Sequence, residues 1–112
     1  MNMGYQGTIW VGSPPQKMEV VFDLGSPQAW LFSERCKNDK CPPVSKNKRF
    51  AESNSKSFNK SKLGVRIQYG KGKVQGNPST DTICFTPNLR NTSCIQDMAF
   101  LTVVLAKDVQ WL

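Results

Sequence analysis

Val20-Val21-Phe22-Asp23-Leu24-Gly25-Ser26 is an apolar run that closes on an aspartate, a glycine and a serine. Lys17 to Asp23 has the β-branched and aromatic content of a strand, and its near-continuous apolar stretch predicts burial on both faces. Gly25-Ser26-Pro27 breaks it, and Ala29 to Phe32 follows as a short apolar strand. Taken alone, an aspartate at a strand end beside glycine is most often a turn residue bonded to nearby backbone. The order of the segments around it decides the reading.

On the N-terminal side, Tyr5 to Val11 reads as a strand, and Gly12-Ser13-Pro14-Pro15-Gln16 as the turn joining it to the next. Prolines cannot donate to a ladder, so the turn stops the first strand. On the C-terminal side, residues 33–62 are polar and read as surface loops, with a short strand or turn near Phe50 and Phe58. Leu63, Val65, Ile67 and Tyr69 alternate with Gly64, Arg66 and Gln68, the period of a half-exposed strand. Gly70-Lys71-Gly72 is a hairpin turn, Lys73 to Gly76 the return, and Asp81 to Phe85 a further strand. Ile95 to Val104 fits a strand or a short helix equally well. The sum is an all-β, loop-rich chain built of hairpins.

A chain of 112 residues suits one domain, spanning 1–112. Net charge is +7, but the lysines are spread among Ser and Asn with few aromatics between them, so nucleic acid is not an expected partner. The chain has no histidine, which excludes Ser-His and Cys-His nucleophiles and His-based metal sites. Without histidine or a C-x-x-C pair, the four cysteines read as disulfides rather than zinc ligands, with three pairings open. Disulfides place the chain in an oxidising compartment. The sequons Asn59-Lys60-Ser61 and Asn91-Thr92-Ser93 agree with that placement. The longest strongly apolar run, Met98 to Ala106, is too short to span a bilayer. No basic start or apolar leader precedes Tyr5, so the expectation is that the chain lacks its natural start.

Read together, these segments resemble the N-terminal lobe of the pepsin-like aspartic peptidases. Gly7-Thr8-Ile9 through Val11-Gly12-Ser13-Pro14-Pro15-Gln16 is similar to the family's G-T-I-x-V-G-T-P-P-Q opening, and Val21-Phe22-Asp23-Leu24-Gly25-Ser26 to its V-F-D-T-G-S. Trp30 falls at the spacing of the tryptophan in D-T-G-S-x-x-L-W. Cys36 and Cys41 match the small disulfide loop, Ile67-Gln68-Tyr69-Gly70-Lys71-Gly72 the flap, and Asp81-Thr82-Ile83 the D-T-V after it. The resemblance covers roughly residues 5–107.

It implies a half-barrel acid-protease lobe with a flap hairpin at about 63–76. It implies Asp23 as one of a pair of catalytic carboxylates. Two carboxylates held close cannot both ionise, so they share a proton; one activates a water while the other donates to the peptide carbonyl. Gly25 would allow close approach to the partner lobe, and Ser26 would bond the Asp23 carboxylate. Tyr69 and Gly70 would meet substrate on a hairpin that closes over it, with Trp30 orienting Tyr69 from beneath. Peptide or protein substrates, no cofactor, no metal and a secretory, lysosome/vacuole-like or extracellular location follow from the same resemblance.

Three departures bear on activity. Leu24 stands where the family has Thr or Ser, so the hydroxyl that bonds across to the partner lobe is missing. Lys71 replaces the small flap hydroxyl residue. No second D-T-G occurs, so the second carboxylate must come from a C-terminal lobe or a second copy, and the isolated monomer is expected to be inactive. Asp108-Val109-Gln110-Trp111-Leu112 also departs from the family's continuation. A catalytically inactive peptide-binding or structural domain is the alternative these departures raise.

Overall fold

The structure, a computed structural model, describes residues 4–23, 29–37, 39–41, 48–69, 71–86 and 93–107; of residues 4–6, 21–23 and 69 only the backbone is described. Among the described residues seven strands form one sheet: β1 (Gly4–Val11), β2 (Gln16–Asp23), β3 (Ala29–Phe32), β4 (Asn59–Lys60), β5 (Val65–Tyr69), β6 (Gly72–Cys84) and β7 (Cys94–Lys107). One turn of 3-10 helix, Glu52–Asn54, precedes β4, and the described residues contain no α-helix.

β1 and β2 make an antiparallel hairpin in unbroken register from Gly4↔Asp23 to Val11↔Gln16. The turn between them needs Gly12. Its φ is +95°, a conformation side chains disfavour, and its N–H donates to the Thr82 carbonyl at 2.9 Å. β2 passes to β3 through Val21↔Trp30, and β3 runs parallel to β7 through Trp30↔Leu101, Leu31↔Thr102 and Phe32↔Val103. β7 pairs with β6 along almost its whole length. Trp10↔Cys84 and Val11↔Ile83 then bring β1 beside β6, so the sheet curls round towards itself. Among the described residues β4 ends the path as an edge strand, and β5 pairs only with β6.

Two apolar clusters pack against the sheet, and successive residues of β3 alternate between them. Ile9, Val11, Met18, Val20, Leu31, Phe50, Ile83 and Phe100 make one; Trp30, Phe32, Cys36, Cys41, Val74, Leu101 and Val103 make the other. In β2, Met18 and Val20 are buried while Lys17 and Glu19 are exposed. Burial of this strand is therefore one-sided as far as Val20; the side chains of Val21 and Phe22 lie outside the described ones.

The architecture corrects two further sequence expectations and decides one that was open. Lys73–Gly76 and Asp81–Phe85 are not separate strands: β6 runs without a break from Gly72 to Cys84, through Pro78. The Pro78 carbonyl accepts from the Ser61 N–H at 2.8 Å, and the Asn77 carbonyl accepts the Ser79 and Thr102 hydroxyls at 3.2 and 3.1 Å. The remote partners Ser61 and Thr102 support the extended chain on either side of the proline. The ambiguous segment from Ile95 is a strand, β7.

Residues 33–62 are also more than surface loop. Ser33 and Phe50 are fully buried and bridged in parallel, and Phe50 meets Phe58 and Phe100 edge-on with ring centres 5.5 and 6.2 Å apart. Glu52 is only 8% exposed and pairs with Arg35 through Oε1–Nε at 2.9 Å and Oε2–Nη2 at 3.2 Å.

Candidate functional site

Asp23 is the last residue of β2, opposite Gly4 in the register. One strand further across the sheet, Trp30 opens onto both β2 and β7 through its pairs with Val21 and Leu101. Gly25 and Ser26, with Leu24, lie outside the described residues, as does Gly70. Tyr69 ends β5, opposite Gly72 at the start of β6. The sequence-predicted hairpin is thus a β5–β6 ladder running from Val65↔Gly76 to Tyr69↔Gly72, with Lys71 exposed at its turn. Arg66 and Gln68 face solvent and Val65 and Ile67 are half-buried, as the period-two pattern predicts.

Trp30 is 1% exposed, and Val65 and Ile67 of β5 pack against the cluster it anchors. The cluster therefore brings β3, the strand beside β2, together with Val65 and Ile67 of the hairpin strand that ends in Tyr69. Cys36 and Cys41 form a disulfide within the same cluster, closing a short loop after β3. Arg49 donates from Nε to the Cys36 carbonyl at 3.3 Å and lays its guanidinium 5.7 Å from the Phe32 ring centre. Partial burial lowers the pKa of Arg49 from its ordinary value. Cys84 and Cys94, whose partners the sequence left open, are bonded to each other at facing positions of β6 and β7.

The residues that sequence reasoning undervalued lie on β6 and in the segment before β4. Asp81 is fully buried, and its carboxylate accepts from Ser57 Oγ at 2.5 Å, Ser55 Oγ at 2.8 Å and the Thr82 N–H at 2.7 Å. Ser55 Oγ in turn accepts from the Ser13 N–H at 3.0 Å, and Ser57 Oγ, its one proton given to Asp81, accepts from Ser13 Oγ at 2.9 Å. The D-T-I motif marked Asp81; nothing local marked the serines, which lie at least 24 residues away. Among the described residues no three His, Cys, Asp or Glu side chains gather as a metal site, and no helix is long and apolar enough to cross a membrane.

Fold and motif order together define a pepsin-like acid-protease lobe, all-β and disulfide-bonded. The sequence model of the eukaryotic aspartyl protease family matches residues 4–99. The chain belongs to that family. It is 39% identical over 83 residues to pepsin A of Gallus gallus, covering 74% of this chain and 22% of that protein. It is 39% identical to chymosin of Callithrix jacchus over the same share of the chain and 21% of that protein. Pregnancy-associated glycoprotein 2 of Sus scrofa is 36% identical, with 74% of this chain and 19% of that protein covered. The chain thus spans about a fifth of the length of the curated relatives it matches.

Proposed function

We propose that residues 1–112 act as the N-terminal lobe of an aspartic-type endopeptidase, a single partial domain that supplies one catalytic carboxylate and the substrate flap. The observation that carries this reading is the ordered motif set lying within the family match, from the β1–β2 hairpin through Asp23 and Trp30 to the β5–β6 hairpin. Asp23 shares a proton with a second aspartate and polarises a water against the peptide carbonyl. Gly25 and Ser26 keep that carboxylate accessible and hydrogen-bonded. Tyr69 and Gly70 cover the peptide from the hairpin, which Trp30 supports from below.

The second aspartate comes from a C-terminal lobe or a second copy of this chain, since one carboxylate cannot serve as base and acid together. The isolated monomer is accordingly inactive. The compartment is a secretory, lysosome/vacuole-like or extracellular one, supported by both disulfides.

The test is peptidase assay of the complete native reading frame at acid pH, with and without pepstatin. Pepstatin-sensitive cleavage abolished by Asp23→Asn supports the reading. Absence of such cleavage in the intact protein overturns it and favours a non-catalytic peptide-binding domain.

A further inference from the structure

We propose that Asn59 is an N-glycosylation site, carrying an oligosaccharide over the exposed edge of the sheet. Asn59-Lys60-Ser61 has the acceptor pattern, with a middle residue other than proline. The pattern alone is common, and its placement in the fold gives it weight. Asn59 and Lys60 are the whole of β4, the edge strand that ends the sheet path, and Asn59, Lys60 and Ser61 are all exposed. Among the described residues the Asn59 carboxamide makes no hydrogen bond.

Asn77-Pro78-Ser79 supplies the contrast within the same chain. Its middle residue is proline, which bars it as an acceptor. Its carboxamide is engaged: Nδ2 donates to the Ser61 and Leu63 carbonyls at 3.3 and 3.0 Å, and Oδ1 accepts from Arg35 at 3.1 Å. One asparagine is built into the fold and the other is left free at its rim.

A shallow cavity of about 280 Å³ opens beside Asn59, lined also by Pro78, Ser79, Thr80 and Ala99. A first sugar on Asn59 begins at this cavity's edge and has an apolar surface, Pro78 and Ala99, to lie on. An edge strand left bare is a template for pairing with other chains, and a bulky hydrophilic group on β4 blocks that approach. Both disulfides put the chain in the compartment where the donor is found.

The co-substrate is a lipid-pyrophosphate-linked oligosaccharide. The Asn59 Nδ2 forms a bond to the anomeric carbon as the bond from that carbon to the pyrophosphate oxygen breaks. The lipid pyrophosphate leaves with the electron pair, and the amide loses one proton.

The 112-residue chain, directed into the secretory pathway of a eukaryotic cell, tests this. Peptide N-glycosidase digestion in heavy-oxygen water, followed by peptide mass spectrometry, should convert Asn59 to labelled aspartate and leave Asn77 an amide. Asn59→Gln and, separately, Ser61→Ala should each remove one glycan from the electrophoretic pattern, while Ser61→Thr should keep it. Glycan transfer precedes folding, so chain retained in the cell is read in the same way from the membrane fraction. Recovery of the Asn59 peptide unmodified overturns the proposal, including the outcome in which only Asn91 carries sugar.

Discussion

Ser57 Oγ donates to Asp81 Oδ1 at 2.5 Å, tying the segment before β4 to the buried middle of β6. With Ser55 and the Thr82 N–H, three donors converge on a carboxylate that has no exposure to water. The hydroxyls also reach Ser13, so this one side chain fastens the β1–β2 turn, the loop before β4 and β6 together. Asp81→Ala strands those donors in a dry site. The expected loss is about 3 kcal/mol, since bonds to a charged group contribute about 1.5–3 kcal/mol and unsatisfied buried donors cost more. Ser57→Ala should cost less, and the double variant should cost less than the sum. Urea unfolding midpoints of the variants measure all of this, and strict additivity would refute the coupling.

Arg35 and Glu52 make a second long-range tie. Glu52 is 8% exposed and Arg35 about a third exposed, and Arg35 Nη2 also reaches Asn77 Oδ1 at 3.1 Å and Thr102 Oγ1 at 3.4 Å. Arg35→Ala leaves a mostly buried carboxylate without its partner. The partial exposure of Arg35 tempers the loss to about 1–2 kcal/mol, between the values for surface and fully buried pairs. Arg35→Lys should recover only part of this, because an ammonium cannot meet both carboxylate oxygens in fork geometry. Thermal denaturation of the two variants distinguishes these outcomes.

These two ties mark the boundary of what the sequence made legible. The bounds of β1, β2 and β3 were readable to within about a residue, because prolines, glycines and apolar runs punctuate them locally. The hairpin strand β5 was readable because only one of its faces meets the core, leaving a clean alternation. β7 had no such alternation. Ile95–Asp97 is exposed, whereas Phe100 to Val103 is buried at every position where β3 and β6 flank it, so one strand carries two patterns. β6 was misread at Pro78 because its support there comes from Ser61 and Thr102, remote in sequence. The burial of Phe50 and Glu52 likewise depends on Phe100 and Arg35. Of the site, the motifs gave the residue types and their order. Trp30, which the resemblance sets beneath the hairpin, lies in the cluster against which Val65 and Ile67 pack.

Gly76 sits at the register shift between β6 and β7, where a Cβ would overlap the Thr102 carbonyl oxygen. The obstacle is backbone in a paired strand and cannot rotate aside. Gly76→Ala should therefore cost about 1–3 kcal/mol, the usual range for overpacking. Gly64→Ala is the control: nothing lies within 4 Å of its Cβ position. It should fall within about 0.5 kcal/mol of the parent. Equal unfolding midpoints for the two variants would contradict the close-packed register.

Trp30 offers a test that separates global stability from support of the hairpin. Trp30→Ala empties the centre of a cluster that includes Phe32, Val74, Leu101 and Val103, at a cost of about 3–5 kcal/mol. Trp30→Phe keeps most of the volume and should remain folded. Because Val65 and Ile67 rest on this cluster and, among the described residues, β5 pairs with β6 alone, the loosened contact should be felt first there. Amides of Val65–Tyr69 should exchange faster in Trp30→Phe, by local opening, while those around Ile9, Met18 and Val20 in the other cluster keep their protection. Uniform acceleration across both clusters would mean that Trp30 stabilises the lobe as a whole and has no particular hold on the hairpin.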